Sequence, residues 1–264
     1  MSLEIENPFK FALQSGCRQF GIWSALAHHL LAEVMGDAGF DWILFDTEHA
    51  PNDLMLLISQ MQALRGSGTE AVVRPAHNDP VWIKRLLDIG FRSLLIPFVQ
   101  NADEAARAVS ATRYPPIGIR GVAAYQRNNK YGRVTDYFGF IDNAIAVVAQ
   151  IETASAMQNL KAIVLTPGVD AIFVGPGDLA ASLGHLGRPM AAQVQDAIRQ
   201  IGKEAKELGK PAGIVAGSPA DVERYLEWGF SFYTVSSDAA VFRNGLESIV
   251  RTLPGLRSHH GIVA

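Results

Sequence analysis

The sequence lacks the features that mark secreted, membrane-embedded and nucleic-acid-binding proteins. Cys17 is its single cysteine, which excludes an internal disulfide and a cysteine-based zinc site and is typical of a reducing cytoplasm. No apolar run approaches the roughly 18 residues that a membrane-spanning helix needs, and "MSLEIENPFKFALQSG" is too polar for a signal peptide. A net charge of -3 without a run of Lys and Arg argues against nucleic-acid binding. We therefore expect a cytoplasmic protein with neither membrane nor nucleic acid as a partner.

Two further absences concern the fold. No GxGxxG motif follows a predicted strand, which argues against a Rossmann fold. No linker-like or low-complexity segment divides the chain, so we predict a single domain over residues 1–264. A length of 264 residues is normal for one α/β barrel.

Short β-branched or aromatic runs recur along the chain, with helical patterns between them. They are too continuously apolar for a sheet with one solvated face, so both faces should be covered. Strands that alternate with helices in this way predict an α/β fold, a TIM (β/α)8 barrel, with a doubly wound open sheet as the poorer alternative. The predicted strands cover residues 20–23, 41–46, 71–75, 93–99, 144–152, 170–175, 212–216 and 231–236.

Helix N-caps separate these strands. Asn52 or Asp53, then Asp79, Asn101 and Ser218 each precede a helical pattern, and their side chains can accept hydrogen bonds from the first free N–H groups. The one long connection, residues 100–143, contains a helix and then "RYPPIGIRGVAAYQRNNKYG". A long irregular segment in a compact barrel is usually functional.

Ionisable residues gather where the second and third predicted strands end, and active sites of such barrels lie at the carboxyl ends of strands. His49 follows the second strand, and Asp46 can orient its imidazole and raise its basicity, as a general base requires. Arg74 ends the third strand and can face a developing oxyanion, with a structural ion pair as the alternative. Glu48 is interpreted as structural, because it would point away from Asp46 if the strand continued.

A second group follows the fifth and sixth strands. Gln150 and Glu152 have i, i+2 spacing and point to the same side, and the tight turn "GPG" delivers Asp178 beside them. Two carboxylates in one pocket repel each other, and a divalent cation is the usual remedy. Oxygen ligands favour Mg²⁺ or Mn²⁺ over zinc; the alternative is a pair of solvated loop acids.

Lysine is missing from the carboxyl ends of the predicted strands. A Schiff-base aldolase needs a desolvated lysine in its pocket. Carbanion chemistry in this barrel would therefore rely on a metal.

Five ordered stretches resemble the class II pyruvate-dependent aldolases of the HpcH/HpaI family over about residues 8 to 250. They are "GFDWILFDTEHAPND", "VVRPAHNDPVWIKRLLDIG", "LLIPFVQNADEAARAVSATRYPPIGIRGV", "QIETASAMQNL" and "GVDAIFVGPGDLAASLG". The resemblance implies a divalent cation (Mg²⁺, Mn²⁺ or Co²⁺) with no organic cofactor, and reversible cleavage of 4-hydroxy-2-oxo acids to pyruvate and an aldehyde. It also implies oxaloacetate decarboxylation as a side activity and a role in the catabolism of aromatic compounds.

The resemblance also implies roles for particular residues. Glu152 and Asp178 would bind the metal, Gln150 would contact substrate or water, Arg74 the keto oxygen, His49 and Asp46 would form the base dyad, and the backbone around Gly177 and Asp178 would hold the pyruvate carboxylate.

The family further implies a homo-hexamer, a trimer of dimers with exchanged C-terminal helices. Asp88 would reach the dyad from an adjacent subunit. After "GIRG" the chain departs from the small residues of its relatives, so that Ala124, Tyr125, Arg127 and Asn128 are predicted to face the aldehyde. His28 and His29, after the first strand, would line that end or serve the surface.

Two alternatives stay open at this point. One is a lyase acting on a CoA thioester, of the citrate lyase β type, although we find no basic surface for the nucleotide. The other is a non-catalytic ligand-binding barrel, against which the intact set of Asp46, His49, Arg74, Glu152 and Asp178 argues.

Overall fold

The computed structural model describes residues 6–253, in which eight parallel strands close into a barrel in sequence order. Each predicted strand is present, which confirms the TIM barrel. Residues 1–5 and 254–264 of the predicted domain lie outside the described residues. The strands are β1 (Gln19–Ser24), β2 (Trp42–Asp46), β3 (Glu70–Arg74), β4 (Ser93–Ile96), β5 (Ala146–Ile151), β6 (Ala171–Val174), β7 (Ala212–Val215) and β8 (Phe232–Ser237).

Helices connect the strands and cover the outside of the barrel. They are α1 (Pro8–Gln14), α2 (His29–Asp37), α3 (Leu54–Ala63), α4 (Pro80–Asp88), α5 (Ala102–Thr112), α6 (Tyr137–Ala144), α7 (Ala154–Gln158), α8 (Leu160–Val164), α9 (Pro176–Ser182), α10 (Ala192–Glu207), α11 (Pro219–Glu227) and α12 (Asp238–Thr252). The predicted caps Asp53, Asp79, Asn101 and Ser218 all accept hydrogen bonds from backbone N–H groups of the first turn.

The amino-terminal end of the barrel is closed by α1. The ring of Phe9 packs inside, 5.4 Å from Trp42 and 5.8 Å from Phe232 between ring centroids. Gly21 makes room for this packing, since a Cβ there would lie 2.4 Å from the Trp42 ring. The rings of Phe9, Trp42 and Phe232 form an aromatic floor that fills the amino-terminal end of the barrel, so the site must lie at the carboxyl end.

The long connection between α5 and β5 lies at the amino-terminal end as well. Arg127 donates from Nη1 to the carbonyl oxygen of Ile89 (2.8 Å), and Arg120 pairs with Asp88 (3.0 Å). Both contacts are at the C-terminal end of α4, and a helix of a (β/α)8 barrel runs opposite to the strands. This connection is therefore at the far end of the barrel from the carboxyl ends of the strands.

The last helix, α12, extends from the barrel with all residues from Val241 to Leu253 exposed. Its large apolar side chains recur at helical spacing and are about half exposed; they are Val241, Phe242, Leu246, Ile249, Val250 and Leu253. Within residues 6–253, no helix combines the length and apolar character needed to cross a membrane.

Candidate active site

A buried ion pair between neighbouring strands forms one side of the site. Asp46 and Arg74 are partners in the register of β2 and β3. Arg74 donates from Nε to Oδ1 (2.9 Å) and from Nη2 to Oδ2 (2.7 Å) of Asp46, and its guanidinium lies 4.7 Å from the Trp23 ring centroid. Burial alone would raise the pKa of Asp46, but the bonds and charge of Arg74 outweigh it and the pKa is lowered. Arg74 is thus held rigidly, and Asp46 does not accept the N–H groups of Nη1 or the second N–H of Nη2.

Asp46 is fully occupied by these contacts, which corrects the predicted base dyad. Its Oδ1 also accepts from the backbone N–H of Glu48 (3.0 Å) and His49 (3.4 Å), and its Oδ2 accepts from Trp23 Nε1 (3.2 Å). The imidazole of His49 is 64% exposed and lies near a different carboxylate, with Nε2 3.9 Å from Glu48 Oε2. The prediction that Asp46 orients the imidazole is therefore wrong in this structure, because the guanidinium competes for the same oxygens.

Glu48 faces the site, so its interpretation as a residue pointing away from Asp46 is also wrong. β2 ends at Asp46, and the turn after it brings Glu48 Oε2 to 2.9 Å from Arg74 Nη1. The contact is a close ion pair without hydrogen-bond alignment, and within residues 6–253 the buried Oε2 has no hydrogen-bond partner. Burial raises the pKa of Glu48 against the attraction of Arg74 and His49.

Glu152 lies opposite this ion pair with both carboxylate oxygens held. Oε1 accepts the backbone N–H of Phe98 (2.7 Å), and Oε2 accepts from Gln150 Nε2 (2.6 Å). Gln150 therefore lies beside Glu152 as predicted, and its buried Oε1 has no hydrogen-bond partner in the part of the chain that the structure describes. Burial, followed by the negative charges of Asp178 and Glu48, raises the pKa of Glu152 to about 7. Phe98 was not predicted as a site residue, and its left-handed backbone (φ 51°) accompanies this N–H contact.

Gly175 is a further residue that the sequence identified only as part of a tight turn. A Cβ at this position would lie 2.9 Å from both Gln150 Nε2 and Glu152 Oε2. The turn then places the exposed Asp178 in the first turn of α9, with open space around Gly177. The absence of a side chain at position 175 thus allows β6 to pass directly beside the carboxylate.

These groups fit a divalent cation of the magnesium type. In residues 6–253 no group of three or more His, Cys, Asp or Glu side chains is arranged to hold a metal. The chain would therefore supply only two carboxylate ligands, those of Glu152 and Asp178. The unpaired carbonyl oxygen of Gln150 adds a third hard donor to the pocket. Oxygen donors suit Mg²⁺ and Mn²⁺, and a cation would offset the burial, and after it the negative charge of Asp178, that raise the pKa of Glu152.

Other predicted residues lie elsewhere. Asp88, Ala124, Tyr125, Arg127 and Asn128 are at the amino-terminal end of the barrel, with Asn128 Nδ2 3.5 Å from Asp88 Oδ1. The prediction that residues 124–128 line the aldehyde end is therefore wrong for the site of their own chain, because their segment joins a helix end to a strand start.

The histidine pair after β1 lies at the carboxyl end of the barrel. The rings of His28 and His29 stack with centroids 4.6 Å apart, and both residues are exposed. His28 Nδ1 accepts the backbone N–H of Leu30 (3.2 Å) and so caps α2. This contact gives His28 a structural role.

Comparison with known proteins decides the family. The sequence profile of the HpcH/HpaI aldolase/citrate lyase family matches residues 19–245. The chain belongs to the HpcH/HpaI aldolase/citrate lyase family. It is 51% identical over 243 residues to the 5-keto-4-deoxy-D-glucarate aldolase of Klebsiella pneumoniae subsp. pneumoniae, covering 92% of this chain and 95% of that one. The aldolase of the same name from Salmonella arizonae is 52% identical over 246 residues, covering 93% and 96%.

A solved structure agrees with this assignment. The HpcH/HpaI aldolase/citrate lyase family protein from Burkholderia cenocepacia superimposes with a TM-score of 0.90 at 37% identity, covering 93% of this chain and 98% of that one. The predicted family is confirmed, and so is the prediction of an enzyme, a carbon–carbon lyase of the aldolase class. The alternative of a non-catalytic barrel is overturned by the same finding.

Proposed function

We propose that this HpcH/HpaI enzyme cleaves a 4-hydroxy-2-oxo sugar acid to pyruvate and an aldehyde with the help of a divalent cation. One observation carries the proposal: the same pocket contains the guanidinium of Arg74, held in place by Asp46, and the buried carboxylate of Glu152, whose pKa is raised to about 7. The names of the relatives favour a sugar acid such as 5-keto-4-deoxy-D-glucarate over a substrate from aromatic catabolism.

Cleavage removes a proton from the C4 hydroxyl and breaks the C3–C4 bond. A base takes the hydroxyl proton, the O–H electrons form the aldehyde carbonyl, and the C3–C4 electron pair becomes an enolate, which takes up a proton at C3 to give pyruvate. His49, exposed at the mouth of the site, is the base in this scheme. The N–H groups of Arg74 that Asp46 does not accept would face the oxygen on which negative charge grows. Arg74 can do so without rearranging, because Asp46 and Trp23 already fix its plane.

The cation has a limited part that the chain's residues define. Glu152 and Asp178 would hold it, and when bound it would stabilise the enolate oxygen as a Lewis acid. Gln150, whose carbonyl oxygen is buried and unpaired, would accept a hydrogen bond from substrate or water. Oxaloacetate decarboxylation, which yields the same enolate, is part of the proposal.

Assembly is proposed to complete the site. Asp88 lies at the opposite end of the barrel from His49 of its own chain, yet its side chain is 20% exposed beside Arg120. The segment that follows Arg120 exposes large apolar groups, including Val122 (67%) and Tyr125 (77%). In a homo-hexamer built from dimers, Asp88, Ala124, Tyr125 and Arg127 would reach the site of an adjacent subunit. The exposed apolar stripe of α12 would pack on a neighbour in the same assembly.

A substrate panel tests the proposed reaction. Pyruvate release is measured from 5-keto-4-deoxy-D-glucarate and 4-hydroxy-2-oxoheptanedioate, and oxaloacetate and acetyl-CoA release from citryl-CoA, with and without EDTA. We expect the sugar acid to be cleaved fastest, activity to vanish in EDTA, and Mg²⁺, Mn²⁺ or Co²⁺ to restore it. Full activity in excess EDTA, trapping of a pyruvate adduct by borohydride, or preference for the CoA thioester would contradict the proposal.

A further inference from the structure

Phe98 has a backbone conformation that its side chain disfavours. It follows β4 after the buried Pro97, and its φ of 51° lies in the left-handed region, where a bulky residue is an outlier. Glycine and asparagine adopt this conformation more readily. The side chain of Phe98 is 45% exposed at the carboxyl end of the barrel, so burial in the core does not hold the residue in place. The left-handed backbone therefore has another cause.

Hydrogen bonds between the loops after β4 and β5 supply that cause. The N–H of Phe98 donates to Glu152 Oε1 (2.7 Å). Two residues further along the first loop, Gln100 Oε1 accepts the hydroxyl of Thr153 (2.6 Å), the residue that follows Glu152. The carbonyl oxygen of Gln100 also accepts from Asn159 Nδ2 (2.9 Å). A disfavoured backbone conformation persists where surrounding contacts fix it in this way.

The Phe98 contact fixes the orientation of the Glu152 carboxylate. Oε1 of Glu152 accepts from Phe98 and Oε2 accepts from Gln150, so the carboxylate cannot rotate without losing one of the two hydrogen bonds. Each oxygen keeps a further lone pair for a cation. A change of the Phe98 backbone to a negative φ would turn its N–H away from Glu152 or pull Gln100 away from Thr153.

We propose that the backbone N–H of Phe98, held in a left-handed conformation by the contact between Gln100 and Thr153, positions the Glu152 carboxylate for the divalent cation. Phe98 is a positioning residue that acts through Glu152, with its main chain and not with its ring. This inference rests on the proposed function, in which Glu152 binds the cation. Hydrogen bonds to metal ligands typically contribute about 10–100-fold to metal affinity.

Two substitutions at position 98 separate the backbone from the ring. Phe98→Asn removes the ring and tolerates the left-handed region, whereas Phe98→Val removes the ring and, as a β-branched residue, disfavours that region. The dissociation constant of Mn²⁺ is measured by electron paramagnetic resonance, which detects the free ion. Glu152→Gln identifies the part of Mn²⁺ binding that belongs to the site.

We expect Phe98→Val to weaken Mn²⁺ binding by about 10–100-fold, and Phe98→Asn to weaken it at least roughly fivefold less than Phe98→Val. The loss should follow the tolerance of each residue for the left-handed region, because both variants lack the ring and both retain the backbone N–H. Far-UV circular dichroism of each variant shows that the barrel is folded.

Variants of the contact between the two loops give a measurement that does not depend on whether Phe98→Val folds. Thr153→Val removes the hydroxyl that Gln100 accepts and should weaken Mn²⁺ binding, and Thr153→Ser should restore most of the affinity. Thr153 also caps α7 by accepting the N–H of Ala156. Gln100→Met keeps this cap and should weaken binding as well, and the double variant should be no weaker than Thr153→Val alone.

Equal Mn²⁺ dissociation constants for Phe98→Asn and Phe98→Val overturn the proposal, whether both match the unsubstituted enzyme or both are raised. Losses at Gln100 and Thr153 that add in the double variant contradict it too, since the two residues would then act independently. Failure of the proposed function is recognised separately, because the unsubstituted enzyme would then bind Mn²⁺ no more tightly than Glu152→Gln and would keep its activity in EDTA.

Discussion

At the residue scale, Glu152 is 1% exposed, and the charges of Asp178 and Glu48 both act on its carboxylate. Its pKa of about 7 compares with 4.5 for an ordinary Glu. Because the folded state binds this proton more tightly, the group favours folding at low pH. That stability is lost as pH rises from 4.5 to about 7 and stays lost above it. The shift corresponds to at most about 3 kcal/mol.

Glu152→Gln should therefore stabilise the metal-free enzyme at pH 8 while it abolishes function. The amide removes the charge, and Gln150 can rotate so that its unpaired Oε1 accepts the new N–H group. We expect about 1–3 kcal/mol of added stability at pH 8, and almost none at pH 4. Urea unfolding in EDTA at fixed protein concentration measures this. A variant that unfolds more easily at pH 8 would refute the argument.

His49 and Arg74 should be distinguishable by the reaction that each one limits. Arg74→Ala should lose both aldol cleavage and oxaloacetate decarboxylation, because both reactions place negative charge on the same oxygen. His49→Ala should lose cleavage by about 10²–10⁴ and retain more decarboxylase activity, since decarboxylation needs no such base. Arg74→Lys should recover little, because an ammonium cannot replace the fork held by Asp46. Steady-state rates of both reactions in each variant test this assignment. Equal losses of the two activities in all variants would contradict separate roles for His49 and Arg74.

At the element scale, the turn from β6 into α9 sets the distance between the sheet and the carboxylate. Gly175→Ala would place a Cβ 2.9 Å from Gln150 Nε2 and Glu152 Oε2, so one of these polar groups must move. We expect kcat/KM to fall at least about tenfold, since small misplacements of catalytic groups are costly, with the far-UV circular dichroism unchanged. Gly68→Ala, where a Cβ meets nothing within 4 Å, is the control. Wild-type kcat/KM in Gly175→Ala would show that the close approach has no catalytic consequence.

The elements differ in how far the sequence predicted them. Strands and caps such as Asp79 and Ser218 were predicted correctly because their signals are local. The partner of Asp46 was not, because register between β2 and β3 sets it opposite Arg74, a contact distant in sequence. The position of Tyr125 could have been predicted, since its segment follows a helix and precedes a strand. Phe98 could not, because its N–H meets Glu152 only after folding.

At the scale of the whole molecule, the two ends of the barrel have different tasks. The carboxyl end carries His49, Arg74 and Glu152, while the other end presents Asp88 beside Arg120. A single chain cannot bring these ends together. The exposed apolar side chains of α12, for example Phe242 at 58%, provide a surface on which further copies can pack.

Two inactive variants should therefore restore cleavage activity when they assemble into mixed oligomers. Co-expression of His49→Ala with Asp88→Asn would create sites that combine His49 of one subunit with Asp88 of another. We expect mixed oligomers to recover a measurable fraction of cleavage, whereas the purified variants mixed without subunit exchange do not. Light scattering should give a mass well above the 28.6 kDa of one chain. Co-expressed protein no more active than the separate variants, or a monomeric mass, would contradict the shared site.

The aromatic floor that α1 builds beneath the barrel also bears on the order of kinetic events. With Phe9 seated against Trp42 and Phe232, the amino-terminal end of the barrel offers no passage, so reactant and products share the opening near His49. Pyruvate would be held deeper, at Arg74, and the aldehyde nearer the mouth. The aldehyde must then depart first and pyruvate last. Because pyruvate would leave the free enzyme behind, product inhibition by pyruvate should be competitive with substrate, whereas inhibition by the aldehyde should not be.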